Sequence, residues 1–130
     1  MSENSVKVLV FSDDVDKRRA VIEGVGTKPG ALLPEIEWLE VATAQGVVDA
    51  MENGEFALLV IDGEAQKEGG PSVARKLEGL HEDMPPIIML VARQQDEWIA
   101  SWAGAAKTVP LPVDPISIQD AVRDVLSGRK

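Results

Sequence analysis

The stretch FALLVIDGEA, residues 56–65, changes abruptly from apolar residues to acidic and turn residues. An unbroken apolar run precedes Asp62, and Gly63 and Glu64 follow it. Strands that are apolar at every position are typical of parallel sheets covered by helices on both faces. We therefore expect a buried strand that presents the Asp62 carboxylate at its carboxyl end.

Apolar runs alternate with helix-like segments along the rest of the chain, and this order predicts a parallel sheet. Besides the strand that ends at Asp62, the predicted strands cover 6–11, 36–42, 85–92 and 107–113. The predicted helices cover 16–25, 44–54, 71–80, 95–105 and 116–126. With right-handed crossovers these elements form a doubly wound fold of three α/β/α layers, whose functional residues lie beyond the carboxyl ends of the strands.

Turn and capping residues mark the ends of two of the predicted helices. Asp114 followed by Pro115 is typical of an N-cap and the first helical turn. Asn53 followed by Gly54 is typical of a left-handed C-cap. We therefore expect the last helix to begin after Asp114 and the second helix to end at this Asn-Gly pair.

Composition limits the classes of function. The chain has 130 residues, of which 45% are hydrophobic, and this suits a single domain. The absence of cysteine excludes disulfides, thiolate metal sites and cysteine nucleophiles. A net charge of -9 disfavours binding to nucleic acid or to anionic membranes. Because the sequence has no signal-peptide core and no apolar run near the ~20 residues of a bilayer span, we expect a cytoplasmic protein.

Charged residues follow three of the predicted strands. Asp13 and Asp14 follow the first strand, Asp62 and Glu64 the third, and Arg93 the fourth. Since the carboxyl ends of parallel strands meet at one edge of the sheet, we expect an acidic crevice there. Neighbouring carboxylates repel one another unless a cation joins them, and Mg²⁺ prefers oxygen ligands. The four acidic residues therefore predict a Mg²⁺ site.

The order of these elements, with an aspartate ending the third strand, resembles the receiver domains of bacterial two-component response regulators. The resemblance covers about residues 6–127 and places the family's phosphoacceptor at Asp62, with its following glycine at Gly70. Three further segments resemble the family: DKRR (16–19), PPIIMLVA (85–92) and AGAAKTVPLPVDP (103–115), the last of which is similar to the family's AGADDYLTKPFDP. The resemblance is strongest to stand-alone actinobacterial regulators.

The resemblance implies a flavodoxin-like sheet with the strand order 2-1-3-4-5 and one receiver domain with no output domain. It also implies a signalling role in a phosphorelay rather than an enzymatic one, with Mg²⁺ as the cofactor. The implied partners are proteins: a sensor kinase, a downstream target, or a second copy of the chain. A hydrolase is disfavoured separately, because the sequence has no GxSxG motif and no histidine near a plausible nucleophile.

The sequence departs from the family's pattern at several functional positions. The replaced groups are one acid of the metal pair at Ser12, the hydroxyl of the fourth strand at Val91, the aromatic switch residue at Thr108 and the lysine at Leu111. In the family, the lysine and the hydroxyl hold the transferred phosphoryl group. Their loss predicts a degenerate phosphorylation site.

Nearby residues are candidate substitutes for the lost groups. Asp14 lies next to the retained Asp13 and can compensate for Ser12 if the turn permits. Arg93 is a candidate source of the positive charge that Leu111 lacks. The resemblance also implies a cis peptide bond between Leu111 and Pro112.

Trp98 and Trp102 have the i, i+4 spacing that places both side chains on one face of the helix predicted over 95–105. Packing on the sheet is the plainer interpretation for Trp98. Trp102 lies at a position that commonly faces outward in the family, where a tryptophan can anchor a protein partner. We therefore consider both tryptophans candidate partner-binding residues, and Trp102 the stronger one.

Three functions agree with these patterns. The first is a stand-alone receiver-like protein that acts through protein partners, with weak phosphorylation or none. The second is a working phosphoacceptor that uses Asp13, Asp14 and Arg93 as substitutes. The third is a cofactor binder of the flavodoxin type, which is disfavoured because SDDVD (12–16) places negative charge where that fold binds phosphate.

Overall fold

The computed structural model describes residues 5–64, 85–92 and 106–128. In these ranges the chain forms five strands and three helices: β1 (Val6–Phe11), α1 (Val15–Val25), β2 (Ile36–Val41), α2 (Ala44–Asn53), β3 (Leu58–Asp62), β4 (Ile87–Val91), β5 (Lys107–Pro110) and α3 (Pro115–Leu126). The helices predicted over 71–80 and 95–105 lie outside the described residues. Within the described residues, no helix is long and apolar enough to cross a bilayer.

The five strands form one parallel sheet in the order β2-β1-β3-β4-β5, as predicted. The order reverses direction between β1 and β3, and ligands of doubly wound folds bind outside the carboxyl ends of the strands at this point. The register pairs Phe11 of β1 with Ile61 of β3. The residues that follow this pair, Ser12 and Asp62, therefore lie side by side at the carboxyl edge.

Each face of the sheet carries its own hydrophobic core. Successive side chains of a strand point to opposite faces, so a strand covered on both sides is apolar at every position. All residues of β3 and β4 are buried, which explains the unbroken run before Asp62. One core lies under α2 and includes Leu9, Phe11, Val47, Leu59, Ile61 and Met89. The other lies under α1 and α3 and includes Val8, Val21, Leu58, Val60, Leu90 and Ile118.

The N-terminus of α3 confirms the predicted cap. Asp114 is the N-cap, its side chain accepts hydrogen bonds from the backbone nitrogen and the hydroxyl of Ser117, both at 2.9 Å, and Pro115 is the first helical residue. These hydrogen bonds lower the pKa of the Asp114 carboxyl below its ordinary value, and the bond from the Ser117 backbone has the largest effect. The carboxylate therefore satisfies a backbone donor that the helix leaves free.

The end of α2 differs from its prediction. Gly54 has φ -164° and ψ 170°, which is extended backbone, so the predicted left-handed C-cap is wrong. The side-chain nitrogen of Asn53 donates a hydrogen bond to the carbonyl of Asp49 at 2.7 Å. The chain leaves the helix in an extended conformation at Gly54.

The fifth strand is shorter than predicted, since it ends at Pro110. The peptide bond between Leu111 and Pro112 is cis, as the family resemblance implied. The backbone nitrogen of Leu111 donates to the carbonyl of Val91 at 2.8 Å. This bond joins the segment after β5 to the end of β4, beside the carboxyl edge of β3.

Candidate functional site

The centre of the site is the carboxylate of Asp62, the last residue of β3. Its side chain is fully buried. Oδ2 accepts a hydrogen bond of 2.7 Å from the hydroxyl of Ser12, which is also fully buried. Oδ1 accepts a hydrogen bond of 2.8 Å from the backbone nitrogen of Glu64. A buried charge needs such donors, because removing an ionised group from water is otherwise very costly.

Lys17 supplies the charge that balances Asp62. Its Nζ lies 3.2 Å from Oδ2, and the lysine side chain is 30% exposed. Lys17 is the third residue of α1, the helix that follows β1 at the same edge of the sheet. Lys17 lies in the DKRR segment, but it is not among the predicted site residues. Its spacing from the predicted first strand was the only signal that could have identified it.

Ser12 connects the site to the start of α1. Its hydroxyl accepts a hydrogen bond of 3.0 Å from the backbone nitrogen of Asp14, and its carbonyl accepts one of 2.7 Å from Nη1 of Arg18. Arg18 also pairs through Nε with Glu40 at 3.1 Å. Because a hydroxyl can donate and accept at once, Ser12 bridges the helix start and Asp62, whereas an ionised carboxylate here could not donate.

The other predicted site residues lie further out. Asp14 is exposed and caps α1, since its Oδ1 accepts a hydrogen bond of 2.8 Å from the backbone nitrogen of Asp16. Asp13 and the side chain of Glu64 are exposed. The structure thus brings together Ser12, Lys17 and Asp62. Arg93, Trp98 and Trp102 lie outside the described residues.

The arrangement of charge and hydrogen bonds around Asp62 disfavours a divalent cation beside it. Among residues 5–64, 85–92 and 106–128, no group of three or more Asp, Glu or His side chains could hold a metal ion. Mg²⁺ usually needs only one or two carboxylates with its waters, so binding of this ion by Asp13, Asp14, Asp62 and Glu64 stays a prediction. Both oxygens of Asp62 already accept hydrogen bonds, and an ammonium group lies against one of them.

A cavity of about 520 Å³ opens next to this network. Ala20, Ala92, Leu111, Pro112 and Val113 form its apolar walls, with Asp16, Lys17 and Glu64 as its charged lining. Leu111 also packs against the core under α1 and α3. The position where the family resemblance places a lysine is therefore part of an apolar wall.

Comparison with known proteins identifies the family, although no family model matches the chain. An uncharacterized response regulatory protein of Mycobacterium tuberculosis strain H37Rv is 38% identical over 125 residues, which cover 96% of this chain and 94% of that protein. A protein of strain CDC 1551 matches to the same extent. The chain belongs to the response regulator receiver family. Its place is therefore in two-component signalling.

Solved receiver structures share the fold at low sequence identity. The chemotaxis response regulator CheY4 of Vibrio cholerae has a TM-score of 0.77 and 17% identity, covering 94% of this chain and 99% of that one. The receiver domain of a Francisella response regulator has a TM-score of 0.79 and 16% identity, covering 96% and 99%. A BeF3-activated DrrB receiver domain has a TM-score of 0.71 and 20% identity, covering 95% and 98%.

In this receiver domain, the departures from the family's pattern lie near the carboxyl edge of the sheet, except for Thr108, which lies inside β5. Ser12 follows β1, and Val91 is the buried last residue of β4. Leu111 directly follows β5 and is half-buried. The group that balances the charge of Asp62 in this structure comes instead from α1.

Proposed function

We propose that this receiver domain signals through contacts with protein partners and that Asp62 belongs to a degenerate phosphorylation site. The observation that carries the proposal is the occupation of Oδ2 of Asp62 by Ser12 and Lys17, at 2.7 and 3.2 Å. An attacking oxygen needs a free lone pair directed at phosphorus. Donors that hold this oxygen reduce its nucleophilicity, because its electron pairs are engaged in hydrogen bonds.

The surroundings of Asp62 support the same proposal. Phosphoryl transfer is catalysed mainly by positioning and by groups that stabilise charge on the transferred oxygens. Val91 offers no hydroxyl and Leu111 no charge at the positions where the family resemblance places such groups. The protein would therefore have little with which to hold a phosphoryl group on Asp62.

The proposed partners are proteins, namely a sensor kinase or a downstream target, with a second copy of the chain as the alternative. The net charge of -9 favours a basic protein surface over nucleic acid. Trp102 is the anchor that we propose for this contact, because tryptophan is enriched among the hot spots of protein interfaces.

A second candidate function is a working phosphoacceptor with an altered charge arrangement. Lys17 favours it, since an ammonium group 3.2 Å from the acceptor oxygen could take over the part of the missing lysine. In that case Asp62 would be phosphorylated in Mg²⁺ after Lys17 moves towards the transferred oxygens.

Intact-mass spectrometry distinguishes the two candidates. The protein and an Asp62→Asn variant are incubated with acetyl phosphate and Mg²⁺ in the cold, beside a conventional receiver domain as the positive control. We expect an adduct on the conventional receiver and none on this protein. A phosphoryl adduct on the wild type, absent from Asp62→Asn, would establish the phosphoacceptor instead.

A further inference from the structure

We propose that the ammonium group of Lys17 is an internal cation that takes the place of a divalent ion beside Asp62. The receiver resemblance predicts Mg²⁺ at this edge, yet the described residues contain no group of three or more acids that could hold a metal ion. Nζ of Lys17 lies 3.2 Å from Oδ2 of Asp62, where it supplies positive charge directly. The inference does not rest on the proposed function, because cation binding is measured without a phosphoryl donor or a partner.

The burial of Asp62 makes a cation necessary. The carboxylate is fully buried, and an unpaired buried charge is strongly destabilising. Ser12 and the Glu64 backbone donate hydrogen bonds but carry no charge. The ion pair with Lys17 therefore provides the compensation that a metal ion would otherwise give.

The start of α1 holds Lys17 in position. Asp14 caps the helix, and Arg18, the next residue after Lys17, is bonded to the carbonyl of Ser12 at 2.7 Å and to Glu40 at 3.1 Å. These contacts tie the first turn of α1 to the end of β1. The lysine side chain thus starts from a fixed backbone, and its Nζ lies 3.2 Å from Oδ2 of the carboxylate.

Two charge effects disfavour a divalent ion while Lys17 is present. The ammonium group would lie close to the ion and repel it. Ser12 is neutral where the family has a carboxylate, so the site also has one negative charge fewer to attract the ion. Removing the ammonium group cancels the first effect and leaves the second, which makes Lys17 the residue to test.

The test measures Mn²⁺ binding to the full chain by ¹H–¹⁵N NMR, since this paramagnetic ion prefers carboxylate oxygens. Broadening of the Ser12, Asp62 and Gly63 amide signals is followed as Mn²⁺ is added to the wild type and to Lys17→Met. The same spectra report whether each protein is folded, and Lys17→Gln serves as a second variant. We expect both variants to bind Mn²⁺ at this edge at least about tenfold more tightly than the wild type.

Lys107→Met is the matched control. Lys107 forms an ion pair with Asp124 at the same 3.2 Å, its side chain is 28% exposed, and it begins β5 at the opposite edge of the sheet. This variant loses the same charge and should bind Mn²⁺ like the wild type. Equal Mn²⁺ affinities of the wild type and the Lys17 variants, or no Mn²⁺ binding by any of them, would overturn the proposal. An equal gain in Lys107→Met would overturn it as well, because net charge alone would then explain the effect.

Discussion

Asp62 and Ser12 are the only polar side chains that are fully buried among the described residues. They lie next to each other and share a hydrogen bond of 2.7 Å. Lys17 adds an ion pair from a half-buried position. The three side chains therefore form one connected unit, in which the loss of any member removes a hydrogen bond or ion pair from a buried polar group.

Ser12→Ala tests the strength of this unit. The variant removes a hydroxyl that donates to a buried carboxylate and accepts from the Asp14 backbone. We expect the free energy of unfolding to fall by about 1–3 kcal/mol, as measured by urea denaturation at neutral pH. Ser127→Ala is the control, because its exposed hydroxyl bonds only a helix-end carbonyl at 3.1 Å. Equal stabilities of the two variants would show that the Ser12 bond contributes nothing.

The sequence predicted Asp62 but not Lys17, and the reason is physical. An apolar run that stops at an aspartate is visible in the sequence, because burial on both faces dictates every residue of the strand. The position of Lys17 depends on where α1 begins and on its rotation about its own axis. The Asp14 cap, a local contact, marks the start of α1, whereas the contact of Arg18 with Glu40 on β2 is a tertiary feature that the sequence does not show.

The end of β3 lies very close to the end of β4. A Cβ atom on Gly63 would lie 2.6 Å from the carbonyl oxygen of Leu90 and 3.2 Å from the sulfur of Met89. The backbone nitrogen of Gly63 donates to that same carbonyl at 2.8 Å. Gly63 therefore lets the chain turn away from the sheet while remaining bonded to β4.

Gly63→Ala should push the ends of β3 and β4 apart and lower the free energy of unfolding by about 1–3 kcal/mol in urea denaturation. Gly54→Ala is the control, since a Cβ at that extended residue would meet nothing closer than 3.7 Å. Its stability should be unchanged or higher by up to about 1 kcal/mol. A Gly63→Ala variant as stable as Gly54→Ala would contradict the close approach of the two strands.

The cap of α3 makes a pH-dependent contribution to stability. The pKa of Asp114 is lowered in the folded protein, mainly by the Ser117 backbone hydrogen bond. A carboxyl whose pKa is lowered by folding contributes its full stabilisation when the pH is above the ordinary pKa of 3.8. This stabilisation is lost as the pH falls through the pKa of the folded state. Asp114→Ala should therefore lower the urea midpoint at pH 7 and lower it less below pH 3.8.

Asp120→Ala provides the comparison for the Asp114 prediction, since Asp120 is exposed in the middle of the same helix. Urea midpoints of both variants and the wild type are measured across the same pH range. If the urea midpoint of Asp114→Ala lies below that of the wild type by the same amount at every pH, the charge of the Asp114 carboxylate does not contribute to stability.

The start of α3 and the end of α2 show which helix boundaries short sequence motifs can predict. Asp114 and Pro115 predicted the start of α3 correctly, because both residues favour that position through their own chemistry. Asn53 and Gly54 predicted a left-handed C-cap wrongly, because Gly54 continues in extended backbone. A glycine permits a left-handed conformation without requiring one.

At the scale of the whole molecule, the chain shares the receiver architecture with proteins of low sequence identity. Solved relatives with 16 to 20% identity share the architecture, so the burial pattern rather than particular side chains specifies the sheet. For the same reason the sequence predicted the strand order through the family resemblance. It could not predict the grouping of the acids, because exposed turn residues such as Asp13 and Asp14 are not constrained by packing.

We propose that the site around Asp62 lacks the groups that bind the metal ion and the phosphoryl group in the family. Restoring these groups tests the proposal most directly. The rebuilt protein carries Ser12→Asp, Lys17→Met, Val91→Thr and Leu111→Lys, so that the ammonium group no longer disfavours Mg²⁺, and Asp62→Asn in that background is its control. The measurement is the fraction of each protein that carries a phosphoryl adduct after acetyl phosphate and Mg²⁺, determined by intact-mass spectrometry. We predict an adduct on the rebuilt protein and none on the wild type or the control. Equal labelling of the wild type and the rebuilt protein, or no labelling of either, would contradict the proposal.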